Sequence, residues 1–241
     1  MNRHFFQKIK KFMQVANNEQ NARNRRRLYL YVDGFNLYHR KLKGSPELKW
    51  LCLKSLITKY VFPNDHVEKV SYFTAEVDPK KNLSTKRDRQ RRYCSALRVT
   101  GADIHYGRFE ERMRECKADG CNLRAKYPDM TEKMSDVNMA INIIRDYIEH
   151  GPDIIVALTA DTDVIPALKM VRAEAKRLNR KPPNLVVLLP TEDRNQYYSR
   201  VENFGGVARI IQVKAEWIAG AQMPSEVGQF NRPNEWIVAD A

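Results

Sequence analysis

The chain has 241 residues, 43% of them hydrophobic and 29% charged, with a formal net charge of +13. That is enough apolar material for one substantial core, and a basic excess of this size points to a polyanionic partner, nucleic acid before an acidic membrane surface. Four scattered cysteines (Cys52, Cys94, Cys116, Cys121) are too few for a disulfide scaffold, and neither a bilayer-spanning run nor a signal-peptide core is seen, so a cytoplasmic protein is expected.

Residues 1–27 carry eight basic residues against one acid, with Phe5, Ile9, Phe12, Met13 and Ala16 at helical spacing. They read as a basic amphipathic extension that packs on the domain, touches RNA or lies on a membrane surface. Leu28 to Val32 is an unbroken apolar run, the pattern of a parallel strand buried on both faces, and it stops at Asp33-Gly34. In open α/β sheets the ligand crevice lies at the carboxyl ends of the strands. Asp33 is therefore placed to serve a site, with capping of the following helix as its alternative role. A short helix runs on to Gly44, and a second helical pattern covers 51–61.

A second strand over Val67–Val77 again leads to acids, Glu76 and Asp78. The helix from Lys86 to Val99 carries Lys86, Arg87, Arg89, Arg91 and Arg92, which read either as a solvated face or as contacts to RNA phosphates. A third strand is expected over Ile104–Phe109. Residues 110–130 form an irregular excursion in which Cys116 and Cys121 flank an Asp-Gly turn. With only His105 near in sequence, two free thiols on a hairpin fit better than zinc. Thr131–His150 is the strongest helical pattern, with an apolar stripe of Met134, Val137, Ala140, Ile141, Ile144 and Ile148 and with Asp136 in its first turn. A fourth strand (153–159) runs into Asp161 and Asp163, and a helix follows over 164–178. A fifth strand (184–189), a short helix (196–203) and a sixth strand (208–213) precede a tail, 215–241, expected to wrap the domain.

Apolar strands alternating with helices predict an α/β fold with a mainly parallel sheet. Asp33, Asp136, Asp161 and Asp163 would repel one another in a shared crevice unless a cation joined them, and Mg²⁺ or Mn²⁺ suits an all-carboxylate set. Such an ion polarises a phosphoryl oxygen and activates a bound water, so metal-dependent phosphodiester hydrolysis is the reaction these residues suggest. A haloacid-dehalogenase type phosphatase, suggested by ALTADTDVI, fits less well because the motif comes late in the chain.

Three stretches carry a resemblance: YVDGFNLY at 31–38, EKMSDVNMA at 132–140 and LTADTDVIPALKMVR at 158–172. They resemble, in order and spacing, the signature blocks of the NYN domain family, within the LabA-like branch of the PIN-like nucleases. AQMPSE and RPNEW resemble the tail of its bacterial branch. The resemblance runs from Leu28 to Trp236 and implies a PIN-like three-layer α/β/α sandwich over 28–214. It also implies an Mg²⁺- or Mn²⁺-dependent endoribonuclease acting on single-stranded or unpaired RNA, with a homodimer as the implied assembly. Asp33, Asp136 and Asp161 would be metal ligands and Asp163 a ligand or its neighbour. Asn36 would orient the phosphate, Thr159 would add a hydroxyl, and Lys133, three residues before Asp136 on the same helix, would stabilise developing charge. The chain departs from the family pattern at Met134, where Gly is usual, and at Ala160, where Asn or Gly is usual. A non-catalytic RNA- or protein-binding module is the alternative. Tyr38, Phe73 and Tyr106 read as core residues, with base stacking as a lesser role.

Overall fold

The computed structural model describes residues 25–76, 84–116, 126–191 and 204–237. The amphipathic pattern within 1–24, Asp78, Cys121 and the expected helix at 196–203 lie outside the described residues. In chain order the elements are β1 (Arg27–Asp33), α1 (Gly34–Leu37, prolonged by a π-helical turn, Tyr38–Leu42) and α2 (Leu53–Leu56, prolonged by another, Ile57–Val61). Then come β2 (His66–Ala75), α3 (Ser84–Val99), β3 (Ala102–Glu115), β4 (Lys126–Lys133) and α4 (Ser135–His150). They are followed by β5 (Ile154–Leu158), α5 (Ile165–Arg177), β6 (Asn184–Leu189), β7 (Arg209–Gln212) and α6 (Ala215–Gly220).

These strands form one sheet in the order β4-β3-β2-β1-β5-β6-β7. All neighbours pair in parallel except β4, which returns antiparallel along β3 as an edge strand. The class is therefore α/β with a mostly parallel sheet flanked by helices, as the alternation of strands and helices predicts. From β1 the chain moves outward through β2 and β3, then crosses back to β5 and moves outward the other way. The carboxyl ends of β1 and β5 thus meet where the strand order reverses, which is where such sheets open a crevice.

Burial on both faces explains why β1 has no polar alternation. Leu28, Leu30 and Val32 point into one layer, with α2, α3 and the tail, while Tyr29 and Tyr31 point into the other, against α4 and α5. In the first layer the rings of Trp50, Tyr93 and Trp236 lie with centroids 6.1 Å apart. The Trp50 indole N–H donates to the Pro224 carbonyl at 2.7 Å, and the Met223 N–H donates to the Trp50 carbonyl at 2.8 Å. The segment after β7 is thereby fastened to the domain.

Three local expectations need correction. First, the excursion after the third strand is a regular hairpin: β3 continues to Glu115 and pairs with β4 from Arg108↔Lys133 to Glu115↔Lys126. Lys133 accordingly ends a strand rather than opening a helix. Second, α4 begins only at Ser135, and Met134 before it holds a left-handed backbone (φ 80°). That tight entry is matched by Gly107 on β3, where a Cβ would sit 2.5 Å from the Lys133 carbonyl oxygen and 2.8 Å from Ser135 Oγ. Third, the expected stripe of α4 is only partly turned inward: Ala140 and Ile144 pack against the core beside the buried Met139, Asn142, Ile143, Asp146 and Tyr147, whereas Met134, Val137 and Ile141 are exposed.

Electrostatics explains the rotation of α4. Asp146 is fully buried and accepts hydrogen bonds from Tyr31 Oη–H at 2.9 Å and Lys69 Nζ at 2.8 Å, with Arg145 at 3.3 Å. Burial and the Asp146 charge push the Tyr31 phenol well above its ordinary pKa, so it stays a neutral donor. The carboxyl end of α4 is held by the Arg27 guanidinium, which donates to the His150 and Gly151 carbonyls at 2.7 Å, and by Arg180, which donates to the Ile148 carbonyl at 2.8 Å. Arg26 forms a two-pronged pair with Asp65 at 2.8 and 2.9 Å. Arg26 and Arg27, grouped by the sequence with the basic extension, therefore work as part of the domain.

Removing the counter-charge of a buried carboxylate is costly, so Lys69→Met is expected to lower stability by about 3 kcal/mol in urea titrations. Met134→Gly relieves the left-handed strain and is expected to raise stability by about 1 kcal/mol in the same titration.

Candidate functional site

The crevice is built on the last residue of β1. Asp33, only 7% exposed, accepts the Asn36 N–H on Oδ1 at 2.8 Å and the Thr159 hydroxyl on Oδ2 at 3.0 Å. It thus caps α1 and also ties the end of β1 to the residue after β5. The Thr159 hydroxyl oxygen in turn accepts the Asp161 N–H at 3.0 Å, and Asn36 Oδ1 accepts the Ala160 N–H at 3.1 Å. Asp161 Oδ1 accepts the Asp163 N–H at 3.0 Å, which starts a short 3-10 turn leading into α5. Gly34 follows Asp33 because no larger residue fits: a Cβ there would lie 2.8 Å from the Phe73 carbonyl oxygen and would collide with the Tyr72 phenol.

Asp136, in the first turn of α4, meets the loop after β5. Ligand oxygens of Asp136, Asp161 and Asp163 lie within 4.8 Å of one another. Burial, then the charges of Asp161 and Asp163, raise the Asp136 pKa. Three hard oxygen donors carrying mutual repulsion are the donor set a divalent cation such as Mg²⁺ or Mn²⁺ takes. The structure joins Asp33 to this cluster through Thr159, and Lys133 stands half-buried at the end of β4. A second group, Asp146, Glu149 and His150, also brings ligand-type atoms together. Its buried carboxylate is already matched by Lys69 and Tyr31, as a structural ion pair would be.

Beside Gly34 a cavity of about 460 Å³ opens between α1, β2, α3, β3 and the tail. Its walls are the rings of Phe35, Tyr38, Tyr72, Tyr93, Phe109 and Trp236. Phe35 and Tyr38 come from the YVDGFNLY block and Trp236 from RPNEW, whereas Tyr72, Tyr93 and Phe109 lie in no motif, so the cavity as a whole was not legible in the sequence. Of the proposed stacking residues, Tyr38 and Tyr106 are exposed, while Phe73 is buried and stacks on His105 with centroids 4.6 Å apart. The basic face of α3 is only partly open. Arg87 and Arg91 pair with Glu76, Arg89 pairs with Glu235 at 2.6 Å, and Lys86 and Arg92 are exposed. Lys86 and Arg89 also line the cavity.

No protein-family model matches the chain, and no solved structure does. The chain is similar to 6-hydroxy-3-succinoylpyridine 3-monooxygenase HspA of Pseudomonas putida, with 28% identity over 202 residues, 70% of this chain. The match spans 61% of that protein's length. This likeness overturns the expectation of a hydrolytic endoribonuclease: the related protein is named for an oxidation of a pyridine compound. The physical reason for the miscalled reaction is that a carboxylate cluster reports a hard cation, and a cation of that kind serves many reactions besides phosphodiester hydrolysis. Among the described residues no helix is long and apolar enough to cross a membrane.

Because the folded state raises the Asp136 pKa, ionising Asp136 destabilises the fold. The penalty is absent at pH below the ordinary carboxylate pKa of about 4 and complete above the raised folded value. Without divalent cations, Asp136→Asn is therefore expected to raise Tm at pH 7, with the gain vanishing as the pH falls below about 4. Adding Mg²⁺ at pH 7 is expected to raise the Tm of the wild type more than that of Asp136→Asn, as differential scanning fluorimetry would show.

Proposed function

We propose that the chain binds a small organic compound in the cavity beside Asp33 and acts in its oxidation as a monooxygenase. The observation that carries this reading is the likeness over 202 residues to a monooxygenase. The cavity supports it, since about 460 Å³ falls in the range of roughly 300–1,000 Å³ typical of small-molecule sites. It opens past the carboxyl ends of β1 and β2, where Gly34, Thr74 and Ala75 line it, the end of such sheets at which ligands bind. As scaffold we propose the NYN-type, PIN-like sandwich. In support, the three blocks that carry the resemblance converge: 31–38 on β1 and α1, 132–140 at the start of α4, and 158–172 after β5.

A monooxygenase inserts one atom of dioxygen into its substrate and reduces the other to water with two electrons from a donor. Reduced nicotinamide and reduced flavin are the donor classes to supply. The Asp136, Asp161 and Asp163 carboxylates would hold a divalent cation, which when bound would supply Lewis-acid polarisation of an oxygen that coordinates it. Asp33, Asn36 and Thr159 fix the loop that presents Asp161 and Asp163, and the aromatic walls of the cavity exclude water from the bound compound.

Oxygen uptake measured with 6-hydroxy-3-succinoylpyridine, NADH, FAD and Mg²⁺ is expected to depend on the pyridine compound and to fall at least tenfold in Asp161→Asn. The absence of compound-dependent uptake with either donor class, in a folded protein, would reject the reading.

A further inference from the structure

The cavity has an electrostatic imbalance that its volume alone does not convey. Lys43, Lys49, Lys86 and Arg89 all line it, and among the described residues no carboxylate does. Lys49 is held there at a cost. Its pKa is lowered first by burial, then by the nearby charges of Arg89 and Lys86, against the opposing pull of Glu47. Like charges gathered in a concave, ring-walled site repel each other unless an anion enters, and low-dielectric walls focus their field on that anion. The Lys49 ammonium also lies 5.6 Å from the centroid of the Tyr38 ring, so it stands at the edge of the aromatic surface rather than out in solvent.

We infer that this cavity is an aromatic-acid site: the rings of Tyr38 and Trp236 take a planar aromatic ring, and Lys49 takes the carboxylate the ring carries. The inference rests on the small-molecule reading above and supplies the substrate class for it. Rings alone would bind any flat apolar compound, and cations alone would bind inorganic anions. Their combination in one cavity selects a molecule that has both features. Lys49 is the anchor because its half-buried ammonium stands 5.6 Å from the Tyr38 ring, whereas Arg89 already donates to Glu235 and Lys43 and Lys86 are exposed.

The test is isothermal titration in EDTA, which takes the cation cluster out of play, with three probes: 6-hydroxynicotinate, its uncharged amide, and UMP as an aromatic anion bearing phosphate. Lys49→Met is the variant, and Lys169→Met, which removes an exposed lysine on α5, is the control. The acid is expected to bind one to one and at least tenfold tighter than the amide. Lys49→Met should remove that preference while leaving amide binding and the far-ultraviolet circular dichroism unchanged, and Lys169→Met should behave as wild type. Equal affinity for acid and amide, an unchanged preference in Lys49→Met, tighter binding of UMP than of the acid, or no binding of any probe would each overturn the inference. Acid binding of the expected kind without oxygen uptake would retain the site and reject the monooxygenase reading. Uptake that does not require the carboxylate would do the reverse.

Discussion

The carboxylate of Asp33 is the clasp on which the candidate site depends. One oxygen holds the first turn of α1 through Asn36, and the other holds the Thr159 hydroxyl beyond β5. Asn36 closes the loop by accepting from Ala160. Two neighbouring strands are thereby locked at the point where the strand order reverses, with a side chain almost removed from water. Hydrogen bonds to a charged acceptor in such surroundings are stronger than neutral ones. The clasp sets the loop carrying Asp161 and Asp163, and Gly34 beside it opens directly onto the cavity. Asp33 is thus tied to the acidic cluster through Thr159, while its neighbour Gly34 lines the aromatic-cationic cavity.

Much of the architecture was legible because β1 and β5 are buried on both sides, and such strands are written as unbroken apolar runs. The strand Asn184–Leu189 could be read to the residue for this reason. The edge was less legible. β4 contains Pro128 and several charges and is ordered by its long pairing with β3, a contact that local propensity does not encode. The face of α4 was only partly legible: Ala140 and Ile144 pack against the core, but Val137 and Ile141 are exposed and the buried stripe includes Asp146. The register was decided by the partners Lys69 and Tyr31, which lie 77 and 115 residues away in the chain.

In the site, the acids were readable as residues and their convergence was inferable from strand ends. Asp136, Asp161 and Asp163 do meet. The role of Asp33 as a cap was also open from the sequence, and it proves compatible with a place in the crevice. The cavity was not readable, because it is assembled from rings contributed by distant segments. The reaction was not readable either, since carboxylates specify the hardness of a cation and leave the substrate undetermined. Met134 shows the reverse situation: a position where the resembling family favours Gly proves to have the left-handed backbone that Gly accepts without strain.

The antiparallel return of β4 has a consequence for the behaviour of the molecule in concentrated solution. A parallel sheet ending on a bare β3 would offer a fourteen-residue row of open amides and carbonyls to other chains. β4 covers part of that row, and it carries Pro128, which has no N–H, between Lys126 and Lys133 at its ends. At the opposite margin, β7 is only four residues long. A four-residue margin on one side and a proline-bearing, lysine-flanked margin on the other are features that disfavour adding a strand from a neighbouring molecule, independently of net charge.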